Sequence, residues 1–168
     1  MTHIISLHVE NQQGVLARIS GLFSGRGYNL ESITAGVTAD PTVTRITLAC
    51  TGDDAVVEQI KKQLNRLVDV IKVTELTGVP SLNRELMLVK VNAKGPQRGE
   101  IFQVADVFKA QIMDVGHDCM TVELAGSPEK IDDLISLLAP YGIAEVARSG
   151  VVSMERSRKS AEGAKGVS

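Results

Sequence analysis

The sequence predicts an α+β protein built from two tandem βαββαβ units of the ferredoxin-like kind. Three observations carry this. Two-residue alternation and helical spacing follow one another in the order strand, helix, strand, strand, helix, strand. After Gly78-Val79-Pro80-Ser81 the same order restarts. The copies also keep register around their second helices: Gly52, Val57, Ile60 and Leu64 match Gly126, Ile131, Leu134 and Leu138 at a constant offset.

In the first copy, Thr2 to Glu10 alternates, with Ile5, Leu7 and Val9 on one face. A loop, Glu10-Asn11-Gln12-Gln13-Gly14, leads into a helix marked by Val15, Leu16, Ile19, Leu22 and Phe23. Gly25 and Gly27 end that helix. Tyr28 to Thr38 is β-branched and extended, Asp40-Pro41 is a turn, and Thr42 to Thr51 alternates again. Gly52-Asp53-Asp54 opens the second helix with an aspartate cap, followed by Val56, Val57, Ile60, Leu64 and Leu67. Val68 to Thr77 closes the copy as a strand.

The second copy runs through a strand at Arg84 to Asn92 and a helix marked by Ile101, Val104, Val107 and Phe108. A hairpin follows from Gln111 to Asp118 and Cys119 to Ala125. Ser127-Pro128-Glu129 is a cap residue followed by proline at the first helical position. Ile131, Leu134, Ile135 and Leu138 form that helix's buried stripe, and Ile143 to Met154 is the closing strand. The division expected is residues 1–78, a linker at 79–83, a second unit at 84–155 and a disordered polar tail at 156–168. Each sheet carries helices on one face only, so the other face is left to solvent or to a cover.

Composition removes several function classes. Aromatic residues make up 3 % and Trp is absent, so the core is aliphatic. The formal net charge of −2 supplies no field that gathers nucleic acid. The positions where an RNA-binding sheet of this topology shows stacking aromatics carry Thr, Ile, Ala and Val. No apolar run approaches the length of a membrane helix, and the N-terminus lacks a basic, cleavable leader. A cytoplasmic protein is expected, with Cys50 and Cys119 as small strand residues rather than a disulfide. His3, His8 and His117 are scattered without metal-ligand spacing, no Ser-His-Asp or Cys-His set can be assembled, and Asp132-Asp133 reads as a solvated pair.

The loop before the first helix remains. It joins a strand to a helix, so the unpaired N–H groups of the first turn point into it and favour a small anion such as a carboxylate. Gly14 lets a ligand approach the main chain, and Asn11 offers a carbonyl to an ammonium group. Val15 and Leu16 add apolar wall. The pattern suits a receptor for a free α-amino acid. It equally suits a plain turn in which Asn11 caps the helix, and the residues alone leave both readings open.

The wider stretch "ENQQGVLARISGLFSGRGYNLESI" resembles the regulatory (small) subunit of acetolactate synthase, also called acetohydroxyacid synthase. The matching features are "EN..G.L.R", "GLFS.RGYN" and "ESI", with "KQLNRLVDVIKV", "RELMLVKV" and "EVARSGVVSMER" further on. The likeness runs from Ile4 to about Arg156.

That resemblance implies that the first unit is an ACT domain and that two such domains pair in a homodimer. It implies that valine, isoleucine or leucine binds at the seam, and that the chain activates a catalytic large subunit and makes it subject to feedback inhibition. Thiamine diphosphate, FAD and magnesium belong to that catalytic subunit, and this chain holds none. Carried over by position, Asn11, Gly14, Val15 and Leu16 form the loop side of the pocket, and Asn29 and Leu30 come from the second strand of the paired copy. The second unit, reading "NAKGPQRGEIF" after its first strand, has a longer loop without the Asn-x-x-Gly arrangement and is expected to contribute to dimerisation or to gripping the catalytic subunit instead. A stand-alone amino-acid sensor is the alternative.

Overall fold

The computed structural model describes residues 1–157; the tail expected at 156–168 lies almost wholly outside them. The first unit contains β1 (Thr2–Glu10), α1 (Val15–Arg26), β2 (Asn29–Val37), β3 (Val43–Thr51), α2 (Asp54–Leu64) and β4 (Val70–Glu75). Its sheet order is β2-β3-β1-β4, with every neighbouring pair antiparallel. The second unit contains β5 (Ser81–Asn92), α3 (Gln97–Phe108), β6 (Gln111–Val115), β7 (Cys119–Gly126), α4 (Pro128–Leu138) and β8 (Ile143–Arg148), in the matching order β6-β7-β5-β8.

Each unit has its own aliphatic core between sheet and helices. Ile5, Leu7, Val9, Ile46, Leu48 and Cys50 meet Ile19, Phe23, Val57, Ile60 and Leu64 in the first. Met87, Val89, Val91, Met120, Val122 and Leu124 meet Ile101, Ala105, Ile131, Leu134 and Leu138 in the second. The three apolar positions matched at constant offset thus do the same work in both copies. Helix starts also follow local chemistry: Asp53 accepts from the Val56 N–H at 2.8 Å, and Ser127 accepts from the Lys130 N–H with proline following it.

Four expectations are corrected. The closing strand breaks in two at Ser149–Val151, giving β8 and a separate β9 (Val152–Glu155). Gly150 is left-handed there, at φ 80°, which turns the chain away from β8. β9 pairs instead with Ser81–Arg84, so β5 begins three residues before the alternation suggested. Val107 is exposed rather than part of the α3 stripe. Asp132 is not merely solvated, since it accepts from Arg148 Nη1 at 2.8 Å.

The break in the last strand supplies the cover that the first sheet needed. The β9 arm lies over the face of that sheet turned away from its helices. Arg45 Nη2 donates to the Ser153 carbonyl at 2.8 Å, and Thr34 Oγ1 donates to the Ser149 carbonyl at 3.1 Å. Gly150 comes so near β2 that a Cβ on it would stand 2.7 Å from Thr34 Oγ1. Behind the turn, Arg148 forks onto buried Glu85 through Nε and Nη2, at 2.7 and 2.8 Å.

Candidate functional site

The turn between β1 and α1 is held from both sides. The Asn11 N–H donates to the Thr42 carbonyl at 2.8 Å, and the Asn11 side-chain amide donates to the Pro41 carbonyl at 3.0 Å. Asn11 therefore ties the turn to the β2–β3 hairpin and does not cap the helix. Its carbonyl oxygen has no donor among the described residues. Gly14 occupies the N-cap position in the left-handed region, at φ 83°, and no side chain caps α1. Among the four α-helices of the described residues only α1 has neither a side-chain cap nor an acidic residue in its first turn. The N–H groups that start α1 thus face the turn with the positive end of the helix dipole uncompensated.

Val15 is buried in the core, so at this turn it offers its main-chain N–H and not its side chain. Leu16 is 47 % exposed and stands beside the turn as its apolar surface. Asn29 and Leu30 are elsewhere. Asn29 pairs with Thr51, which pairs with Thr2, whereas the turn follows Glu10, whose partner is Val43. In one chain the two groups stand at opposite ends of the sheet, roughly 25 Å apart at about 3.4 Å per strand residue. The Asn29 amide donates to Thr51 Oγ1 at 2.7 Å, and Leu30 packs against the core edge.

β2 is nevertheless an edge strand with a largely exposed face. Laying two β2 edges side by side about a two-fold axis brings the start of one beside the end of the other. The end of β2 is where the Gly14 turn is fastened, through Thr42 and Pro41. Within one chain, therefore, the register keeps Asn29 and Leu30 away from Asn11 and Gly14.

Arg18, which the residue pattern left without a role, completes the loop end. Its Nε donates to Asp69 Oδ2 at 2.7 Å, and Nη2 is ion-paired with the same oxygen at 2.5 Å. The Asp69 carboxylate is 8 % exposed, and the Asp69 carbonyl accepts from the Glu10 N–H at 2.9 Å. Arg18 Nη1 lies 3.4 Å from where a Cβ on Gly14 would be. The two partners are 51 residues apart, so no local spacing announces them.

Groups with catalytic potential are used in other ways. His3 is buried against Glu75 at 3.3 Å, and Glu75 also accepts from Lys61 at 2.9 Å. The Lys61 hydrogen bond leads the causes that hold the Glu75 carboxyl below its ordinary range. His8 points to the other face of β1, where desolvation, then Arg45 and Lys72, lower its pKa. His117 is exposed beside Asp118. Both cysteines are free thiols, and burial foremost pushes Cys50 up to about 11. None of the helices among the described residues is long and apolar enough to cross a membrane.

A family model described as AHAS small subunit-like ACT domain matches residues 5–72, and one described as small subunit of acetolactate synthase matches residues 84–157. The chain belongs to the acetolactate synthase small-subunit family. A probable acetolactate synthase small subunit from Methanothermobacter thermautotrophicus is 48 % identical over 159 residues, covering 94 % of this chain and 95 % of that one. The isozyme 3 small subunit of Escherichia coli is 46 % identical over 160 residues, covering 95 % and 98 %. The crystal structure of an acetolactate synthase small subunit from Thermotoga maritima superposes with a TM-score of 0.85 at 35 % identity, covering 95 % of this chain and 99 % of that one. Membership of this small-subunit family gives the Gly14 turn its context: it lies in the ACT domain, and the β9 arm lies in the part matched by the second family model.

Proposed function

We propose that this chain is the non-catalytic regulatory subunit of acetolactate synthase. It pairs through its ACT domains, activates a catalytic large subunit in the cytoplasm, and conveys feedback inhibition by valine or another branched-chain amino acid. The observation that carries the reading is the open Gly14 turn: an uncapped helix start, at the end of the sheet opposite Asn29 and Leu30, which in this reading come from the second copy. In this reading the α1 N–H groups hold the effector carboxylate, Asn11 Oδ1 accepts from its ammonium, and Leu16 with the partner's β2 meets its aliphatic side chain. Thiamine diphosphate, FAD and magnesium, and with them the bond-making steps, reside on the large subunit.

Regulation then follows from linkage. An effector that bridges two copies binds most tightly to the arrangement that sets its two half-sites correctly, and so raises the population of that arrangement. Typical coupling of about 1–3 kcal/mol gives five-fold to 150-fold effects on the partner. The β9 arm, lying across the same sheet, is the material connection from the seam to the second unit. Titration calorimetry with valine, isoleucine and leucine on the full chain, together with co-purification and inhibition assays on a thiamine-dependent large subunit, tests the reading. Binding plus effector-dependent inhibition is expected. Binding without any such partner would make the chain a stand-alone sensor.

A further inference from the structure

Resting on the effector site just proposed, we infer that Arg18 is a further ligand-recognising residue of that site, and that Asp69 positions it. Arg18 lies one turn into α1, its N–H donating to the Gly14 carbonyl at 2.9 Å. Side chains on a helix lean toward its N-terminus, so the guanidinium is carried back over the turn. Asp69 engages one side of it through Nε and Nη2. The remaining nitrogen, Nη1, faces Gly14. A guanidinium has five N–H donors in a fixed plane, so an edge already bound to one carboxylate leaves donors for a second.

The burial of the pair argues against a surface ion pair of no consequence. Asp69 is sequestered, whereas the Arg18 side chain is 47 % exposed. The anchor is inside and the free donors are outside, on the side where an effector would arrive. Asp69 also holds the end of β1 through its carbonyl. One residue thus fixes both the strand leading into the turn and the cation beside it. The first turn of α1 carries no acidic side chain to compete for Arg18, whose outer face in this reading meets the effector's carboxylate. Arg18 and the helix start then share that carboxylate, while Asn11 takes the ammonium end. The result is selection for a free α-amino acid over an amine of the same shape.

The test compares valine with valinamide, which keeps the ammonium and side chain but replaces the carboxylate by a neutral amide. Titration calorimetry is run on the full chain, on Arg18→Met, and on the double variant Arg18→Met/Asp69→Asn. The double variant removes the guanidinium without stranding a buried carboxylate, so it keeps the fold measurable. Both variants should lose valine affinity by about 10- to 100-fold, the worth of one charge-assisted hydrogen bond. Valinamide affinity should change by less than about three-fold, so the preference for valine collapses; Arg18→Lys should recover part of it. Unchanged valine affinity in both variants, or equal losses for valine and valinamide, would overturn the assignment while leaving the site in place. Absence of binding of all three branched-chain amino acids to the unmodified chain would overturn the site and this assignment with it.

Discussion

The turns that lead from the first strand to the first helix of each unit are alike in length and main-chain tie and opposite in chemistry. Each spans four residues, Asn11–Gly14 and Ala93–Pro96, so the second is not longer, as the residue pattern had suggested. Each is fastened by the same main-chain bond: Asn11 N–H to the Thr42 carbonyl, and Ala93 N–H to the Asp118 carbonyl at 2.9 Å. The second helical residue is Leu16 in one and Arg98 in the other. Arg98 closes its turn completely. Its guanidinium donates to the Ala93 carbonyl at 3.0 Å, to the Gly116 carbonyl at 2.5 Å and to the His117 carbonyl. In the first unit the corresponding space holds Gly14 and the free edge of Arg18. A duplicated fold has kept one turn open and filled the other with its own cation, which is why the effector site proposed above falls in one half only.

The first way to break this comparison is to ask whether the halves differ in more than their turns. Ile60 and Leu134 are matched positions with no exposed surface. Truncating either to Ala should cost about 2–5 kcal/mol, and the two costs should agree within about 1 kcal/mol. Urea unfolding of both variants measures this. A much smaller loss for one would mean that its half is loosely packed, and that the open turn reflects a weaker unit rather than a purposeful site.

Gly14→Asp comes next. Asp tolerates left-handed backbone better than most residues, so the fold should survive. The added carboxylate would stand beside Arg18 Nη1 and repel the effector's own carboxylate. Valine affinity should fall by about 100-fold or more, roughly 2.7 kcal/mol, with activation of the large subunit retained. Calorimetry showing unchanged affinity would place the pocket elsewhere.

Arg98→Leu imitates the first unit in the second. Losing a guanidinium that satisfies three carbonyls should lower stability by about 1–3 kcal/mol in thermal or urea unfolding. Valine affinity should stay within about two-fold of the unmodified chain, because the proposed effector turn lies in the other unit. A loss comparable to that of Gly14→Asp would show that the two turns are coupled.

How much of this could be read beforehand differs between scaffold and site. Ile5-Leu7-Val9 and Met87-Val89-Val91 show their buried face by alternation alone, and Asp53 and Ser127 announce helix starts by residue type. Those signals are local. The β9 arm was hidden because "RSGVVSMER" continues an alternation, and only the backbone at Gly150 shows the chain leaving β8. Asn11 and Gly14 were legible as residue types, but a cap and a hairpin tie look the same in sequence. The Pro41 contact separates them. Arg18 and Asp69 meet across the whole unit, and no periodicity encodes a partner 51 residues away. Val107 shows the reverse failure, an apolar residue at helical spacing that the packing leaves outside.

The smallest expected effect concerns the two capped helices, and it sharpens why α1 is different. Asp53 accepts from Val56 at 2.8 Å and brings a negative charge to the start of α2. Ser127 accepts from Lys130 at a longer 3.3 Å, and Pro128 already presets the first helical φ of α4. Asp53→Ala should therefore cost about 1 kcal/mol and Ser127→Ala about half of that, read as shifts in the urea midpoint. Equal losses would mean that the hydrogen bond alone matters and that charge and proline add nothing. The predicted inequality says that an uncompensated helix start carries a cost that a nearby anion relieves. α2 relieves it permanently with its own aspartate; α1 has no such residue, and in the proposed site the effector's carboxylate would supply that relief at Gly14.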